Sequence, residues 1–226
     1  MLSFSAAPLE AIQQTLAAVA KASAQDSGKN PQPVTLIAVS KTQPRAVVDQ
    51  AMAAGVMVFG ENRVQEAQQK FSAMHPRPQL HLIGPLQTNK VGAACALFDY
   101  IHTLDRPSLI MALAKEKQKC GKIPQLLIQV NVGRELQKAG VLPEHFPALW
   151  QLAQNHQLPV VGLMCIPPHH QPPRPFFKQL AEMARRHNLP HLSMGMSDDW
   201  QDAVAEGATF IRLGTAVFGP RLSPSK

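Results

Sequence analysis

Eight short apolar runs recur along this chain, and helical spacing follows each of the first seven. They fall at residues 34–40, 56–59, 80–83, 100–104, 125–132, 160–166, 191–194 and 209–213. The helical stretches between them cover residues 44–54, 63–73, 88–97, 107–119, 143–155, 174–187 and 198–206. Most of the runs are continuously apolar, as strands are when both faces of a parallel sheet are covered. Pro44 sits where a first helical turn tolerates its missing N–H, and Gly55 supplies the stop. Eight βα units in 226 residues fit one closed α/β barrel, a (β/α)8 barrel of the TIM type. A doubly wound open sheet is the alternative, but no GxGxxG follows the first run. Residues 8–24, with Leu9, Ile12, Leu16 and Val19 at helical spacing, add an N-terminal helix. No break in composition marks a second domain, so residues 1–226 are read as a single barrel domain. The Pro-rich stretch 167–175 lies between a strand and its helix and is a long βα loop.

Composition narrows the function classes. Hydrophobic residues make up 45% of the chain and charged ones 16%, enough apolar content for a sizeable core. No apolar run reaches membrane-spanning length, and the first residues lack the basic start of a signal peptide, so a cytoplasmic location is expected. Cys95, Cys120 and Cys165 form no CxxC pair, and the nine histidines show no metal-binding spacing, so neither disulfides nor a metal site is expected. The net charge of +7 comes from scattered basic residues, and few aromatics interleave with them. No nucleic-acid partner is expected. A monomer is the default.

In a parallel barrel, chemistry collects at the C-terminal ends of the strands. The first run ends in Ser40-Lys41, which puts an amine at the barrel mouth. Partial desolvation lowers a lysine's pKa and leaves it able to form a Schiff base with an aldehyde; the plainer reading is a solvated strand-ending lysine. The seventh run ends in Ser193-Met-Gly-Met-Ser197 and the eighth in Gly214-Thr215. The loops after strands seven and eight are the recurrent phosphate site of this architecture. Gly195 permits close backbone approach, and Ser197 is read as opening a helix whose free N–H groups face an anion. Ser197-Asp198-Asp199 read equally well as only a helix cap with dipole-favoured acids, and the two readings are compatible if Asp198 and Asp199 point outward. Arg212 interrupts the apolar run Phe210-Ile-Arg-Leu213, and a buried guanidinium needs a partner. Glu61 or Asp105 is one candidate and a bound ligand the other. Pyridoxal 5′-phosphate (PLP) carries an aldehyde, a ring nitrogen and a phosphate, and would engage the amine, the arginine and the phosphate cup together.

Several stretches carry a family resemblance. They are Ala38-Val-Ser-Lys-Thr42, Phe59-Gly-Glu-Asn-Arg-Val-Gln-Glu66, His81-Leu-Ile-Gly-Pro-Leu-Gln-Thr-Asn-Lys90 and Gln129-Val-Asn131. Further on come Gly162-Leu-Met164, Leu192-Ser-Met-Gly-Met-Ser-Asp198 and Arg212-Leu-Gly-Thr-Ala-Val-Phe-Gly219. This ordered set, across roughly residues 34–221, resembles the pyridoxal phosphate homeostasis protein family. The resemblance implies a barrel like that of alanine racemase and an internal aldimine on Lys41. It assigns Ser197, Gly214 and Thr215 to the phosphate, with the backbone around Met196. Arg212 matches the arginine facing the pyridine nitrogen, and Asn62 a polar position beside the cofactor. Arg63 departs from the family's usual tyrosine, Gly133 from its usual serine or threonine, and the 167–175 loop is unusually rich in Pro and His.

The resemblance implies a carrier of PLP with no catalytic residues, acting in vitamin B6 homeostasis. Apo PLP-dependent enzymes are the expected receiving partners. A racemase-like enzyme of low activity is the alternative. An arginine partner leaves the ring nitrogen unprotonated and weakens the electron sink. A racemase needs a second base, commonly a tyrosine from a C-terminal β-domain, and the chain is read as ending before such a domain. The one tyrosine, Tyr100, starts a strand and is expected at the far end of the barrel, which leaves His81 or His102 as candidate bases.

Overall fold

The computed structural model describes residues 4–27 and 32–219. Eight parallel strands close on themselves in chain order. They are β1 (Thr35–Val39), β2 (Val58–Glu61), β3 (Gln79–Leu82), β4 (Tyr100–Leu104), β5 (Gln125–Val130), β6 (Val160–Cys165), β7 (His191–Ser193) and β8 (Phe210–Leu213). β8 pairs with β1 to complete the barrel, with Ile37 opposite Arg212. The helices are α1 (Ala6–Ser27), α2 (Arg45–Ala53), α3 (Val64–Phe71), α4 (Val91–Leu97), α5 (Pro107–Cys120), α6 (Phe146–Asn155), α7 (Arg174–Arg186), α8 (Trp200–Ala205) and α9 (Thr215–Phe218).

The barrel follows from the period-two alternation of strand side chains. Alternate residues such as Ala38, Phe59, Leu80, Leu82, Ile101, Leu126, Ile128, Leu163 and Ile211 pack outward against the helices in the main core. Their neighbours Ile37, Leu127, Met164 and Phe210 form a separate cluster inside the barrel. α1 lays Leu9, Ile12 and Leu16 into the main core and packs against α8 and α9.

The expected elements are all present, but boundaries shift: α4 begins at Val91 after a 3₁₀ turn at Thr88–Lys90, α6 begins at Phe146 and β5 ends at Val130. β2 lies at 58–61, two residues later than the apolar run, because buried Glu61 belongs to it. The helix expected from residue 198 starts at Trp200. The last strand was expected to have no helix after it, but α9 follows at once. Residues 220–226 lie outside the described residues, so the expectations that cover them are not described further.

Candidate functional site at the closing seam of the barrel

The expected site residues come from four neighbouring strands. Barrel closure places β1 beside β8, so the seam runs β7–β8–β1–β2. Lys41 follows β1, Asn62 follows β2, Met196 and Ser197 follow β7, Arg212 lies on β8, and Gly214 and Thr215 follow β8. Residues far apart in sequence thus share one mouth.

Lys41 is half-buried in the turn after β1, and its neighbours hold it. Alternation along β1 turns Ile37 inward and Ala38 outward into the main core. Ser40 is fully buried, and its hydroxyl donates to Glu61 Oε1 at 2.7 Å. The Lys70 ammonium donates to the Ser40 carbonyl at 2.7 Å, to Glu61 Oε1 at 2.9 Å and to Glu66 Oε1 at 2.6 Å. All three of its protons are therefore used. Glu66 Oε1 also accepts the N–H of Thr42 at 2.5 Å. Thr42 has φ of 65°, in the left-handed region that a β-branched residue rarely adopts. Such strain costs about 1–3 kcal/mol and persists only where the surroundings hold it. Glu61 and Glu66, bridged by Lys70, grip the residues on either side of Lys41.

The electrostatics of this clamp are uneven. Burial pushes the Glu61 carboxyl above its ordinary range, against the pull of Lys70 and Ser40. Its Oε2 is buried with no hydrogen-bond partner among the described residues. Burial also acts on Glu66, but hydrogen bonds from Lys70 and Thr42 outweigh it and hold that carboxyl below its usual value. Lys70 was not anticipated as part of the site. The signal was present, since Val64, Ala67, Lys70 and Phe71 share one buried helical face. A lysine among such residues requires a buried partner.

At the end of β7, Gly195 has φ of 93°, and a Cβ there would lie 2.7 Å from the Ala203 Cβ and 3.0 Å from the Trp200 Cα. The glycine lets the chain turn tightly over α8. Ser197 does not open the helix as expected. Residue 199 is the N-cap, and Ser197 lies in the turn before it. Asp199 bends back to accept the Met196 N–H at 2.6 Å. It therefore does not point away from the cup, and it occupies one of the donors expected to face a phosphate. Burial raises the Asp199 carboxyl, against the Met196 N–H and the Arg212 charge. Ser197 and Asp198 are exposed. After β8, Gly214 leads directly into α9, and its carbonyl accepts the Val217 and Phe218 N–H groups at 2.9 Å each.

Arg212 is 5% exposed. Neither Glu61 nor Asp105 is its partner. Its Nη1 donates to Ser193 Oγ at 2.6 Å and its Nη2 to the Cys165 carbonyl at 2.9 Å. Glu61 is held by Lys70, and Asp105 by Arg106 at 2.7 Å. Burial pulls the guanidinium below its ordinary pKa, against Cys165 and Asp199. Among the described residues no carboxylate hydrogen-bonds Arg212, and two of its five N–H groups are used in holding its plane. Asn62 is half-buried at the end of β2.

The candidate bases lie elsewhere. His81 and His102 are fully buried inside the barrel and hydrogen-bond one another at 2.8 Å. Burial holds His81 down at about 3 and His102 well below its usual value. Tyr100 starts β4 at the N-terminal end, as expected, and stacks on His81 with ring centroids 4.5 Å apart.

Eight parallel strands closed in chain order into one barrel are the fold of the alanine racemase N-terminal domain class. The family model described as "Alanine racemase, N-terminal domain" matches residues 9–222. The chain belongs to the pyridoxal phosphate homeostasis protein family within that class. A protein of that name from Aquifex aeolicus is 40% identical over 94% of this chain and 97% of its own length. The one from Escherichia coli K12 is 38% identical over 88% of this chain and 91% of its own. Among solved structures, PipY of Synechococcus elongatus, determined with PLP bound, is 40% identical with a TM-score of 0.72. That match covers 89% of this chain and all of PipY. Alanine racemase from Corynebacterium glutamicum shares the fold, with a TM-score of 0.64 at 18% identity, over 94% of this chain and 62% of that one.

Proposed function

We propose that this protein binds PLP covalently through Lys41 and serves intracellular PLP homeostasis as a holder or donor of the cofactor, without turnover of its own. The observation that carries the reading is the seam, where one closed barrel edge gathers Lys41, the turn at Met196–Ser197, Arg212 and Gly214–Thr215. The donor set fits the cofactor. Arg212 is a buried cation with N–H groups to spare and no carboxylate bonded to it, and it suits an unprotonated ring nitrogen. Ser197, Gly214 and Thr215 would hold the phosphate through backbone N–H groups and hydroxyls. Met196 would join them once Asp199 gives up its N–H. Asn62 would lie beside the ring. Lys41 would present its amine to the cofactor, which would supply the aldehyde for a reversible Schiff base.

The naming of the relatives and the PLP held by PipY support the ligand. The state of the two interior histidines favours a carrier over an enzyme. A base for racemisation must reach the ligand and titrate near neutral pH. His81 and His102 are bonded into the interior and held well below that range. The whole barrel is proposed to act as one PLP-binding unit in the cytoplasm, with apo PLP-dependent enzymes as recipients. Among the described residues no helix is long and apolar enough to cross a membrane.

Titration of the purified protein with PLP is expected to produce a visible absorbance band that saturates and is absent in Lys41→Ala. Incubation of the loaded protein with D- or L-alanine, or with the serine isomers, is expected to racemise them no faster than free PLP does. Turnover clearly above free PLP would replace the carrier with a racemase-like enzyme.

A further inference from the structure

A chain of hydrogen bonds runs through the barrel interior from its N-terminal end to Arg212. Alternation turns Gln79 and His81 of β3, His102 of β4, Ser193 of β7 and Arg212 of β8 inward. Barrel cores of this type are ordinarily filled by branched apolar side chains. Here His81, His102 and Ser193 are each fully buried. Buried polar groups are costly unless bonded, and each of these is. Arg212 Nη1 lies 2.6 Å from Ser193 Oγ. Ser193 Oγ lies 2.8 Å from His102 Nδ1. His102 Nε2 lies 2.8 Å from His81 Nδ1. His81 Nε2 lies 3.3 Å from Gln79 Oε1.

The donor and acceptor inventory favours one direction, because among the described residues the Ser193 hydroxyl bonds only Arg212, which cannot accept, and His102. A guanidinium only donates, so Ser193 Oγ accepts from Arg212. The one hydroxyl proton of Ser193 then goes to His102 Nδ1. A His102 that accepts at Nδ1 carries its proton on Nε2 and donates it to His81 Nδ1. His81 therefore also carries its proton on Nε2 and presents it to the Gln79 carbonyl oxygen. All protons point away from Arg212. In the reverse arrangement His102 would donate to Ser193. The hydroxyl proton would then have no acceptor in the chain, and the Gln79 amide would have to turn round. Chains aligned in one direction strengthen one another in a low-dielectric interior.

The surroundings keep both rings neutral. Tyr100 stacks on His81, Phe210 packs edge-on to it, and Phe210 also packs against His102. Burial holds both imidazoles far below their usual range. His81, Arg212 and His191 add to the effect on His102, while Asp99 pulls His81 the other way.

We propose that Ser193, His102 and His81 are positioning residues for Arg212, forming a one-way hydrogen-bond chain that fixes the guanidinium plane and aims its remaining N–H groups at the barrel mouth. The role rests on the PLP reading for its ligand, whereas the two tautomers rest on the chain alone.

The test has two arms that separate these. In protein without added PLP, ¹⁵N NMR of labelled histidines at neutral pH should show His81 and His102 both neutral and both protonated on Nε2. A proton on Nδ1 of either, or a cationic ring, overturns the chain. In PLP-loaded protein, Ser193→Ala should release PLP about tenfold faster, as loss of a bond to a charged group predicts. It should also shift the pH midpoint of the visible absorbance. Adding His102→Gln to Ser193→Ala should change release by less than about twofold, because the chain is already cut. Leu109→Ala, in the outer core, should lower stability but not alter release. If Ser193→Ala does not fold, His102→Gln alone gives the same readout. A folded variant with the parental release rate and pH midpoint overturns the positioning role while PLP binding stands. A protein whose Lys41 takes no PLP overturns the ligand reading and the positioning role together, and the NMR arm still decides the chain.

Discussion

Lys41 owes its presentation to residues that never face the ligand. Ser40 and Thr42 are each fixed by a carboxylate, and Lys70 joins the two carboxylates with all three of its protons. Removing a partner from a buried ion pair leaves an uncompensated charge, at a cost of about 3–5 kcal/mol. Lys70→Met is therefore expected to lose stability of that order in urea unfolding, and to weaken PLP uptake because the strained Thr42 turn relaxes. A loss below about 1 kcal/mol, the worth of an exposed pair, would show that the clamp is not a buried network. Lys41 and Arg212 were legible in the sequence because each placed a charge in an apolar run. Their partners were not. Arg212 was expected to pair with a carboxylate or a bound ligand, and its partners within the fold are instead Ser193 from the next strand and the Cys165 carbonyl from the strand beyond. A one-dimensional reading does not give distances across a barrel.

At the scale of elements, two of the chain's departures from its family prove to be one. A Cβ on Gly133 would lie 2.4 Å from the Pro168 Cγ and 2.8 Å from its Cδ. The glycine after β5 and the proline-rich loop after β6 thus fit each other, and a proline ring cannot swing aside. Gly133→Ser is expected to destabilise the barrel by about 1–3 kcal/mol through overpacking. Combining it with Pro168→Ala should recover most of that loss, which a double-mutant cycle in urea would measure. Additive losses would break the link between the two loops. The eight strands and the seven helices that link them were legible because continuous apolar runs and helical periodicity follow directly from burial. Boundaries failed where polar residues are buried. β2 extends to Glu61 because Lys70 pairs with it, and α8 begins late because Asp199 turns back to Met196.

At the scale of the whole molecule, closure is what the proposed site depends on, because β8 pairs with β1 and so sets the strand of Arg212 beside the strand that leads to Lys41. The same closure buries two histidines that cannot readily take up a proton. His81 is held at about 3 in the fold against 6.5 when unperturbed, and His102 is shifted the same way. Between those values the unfolded chain binds a proton that the folded one refuses, so stability falls as pH drops below about 6.5, by up to about 1.4 kcal/mol per pH unit for each histidine. The depressed Glu66 adds to the loss at lower pH, and the raised Glu61 opposes it. Urea midpoints should accordingly fall from pH 7.5 to 5.5, and fall less in His102→Gln. A midpoint that stays level over that range would contradict neutral interior histidines. The central claim, that Lys41 is the covalent anchor, is tested most directly by borohydride reduction of the PLP-loaded protein followed by peptide mass mapping. The account predicts a reduced pyridoxyl-phosphate mass on the peptide carrying Lys41, and on no other lysine at stoichiometric yield. The same mass on Lys70, Lys90 or Lys138, with Lys41 unmodified, would contradict it.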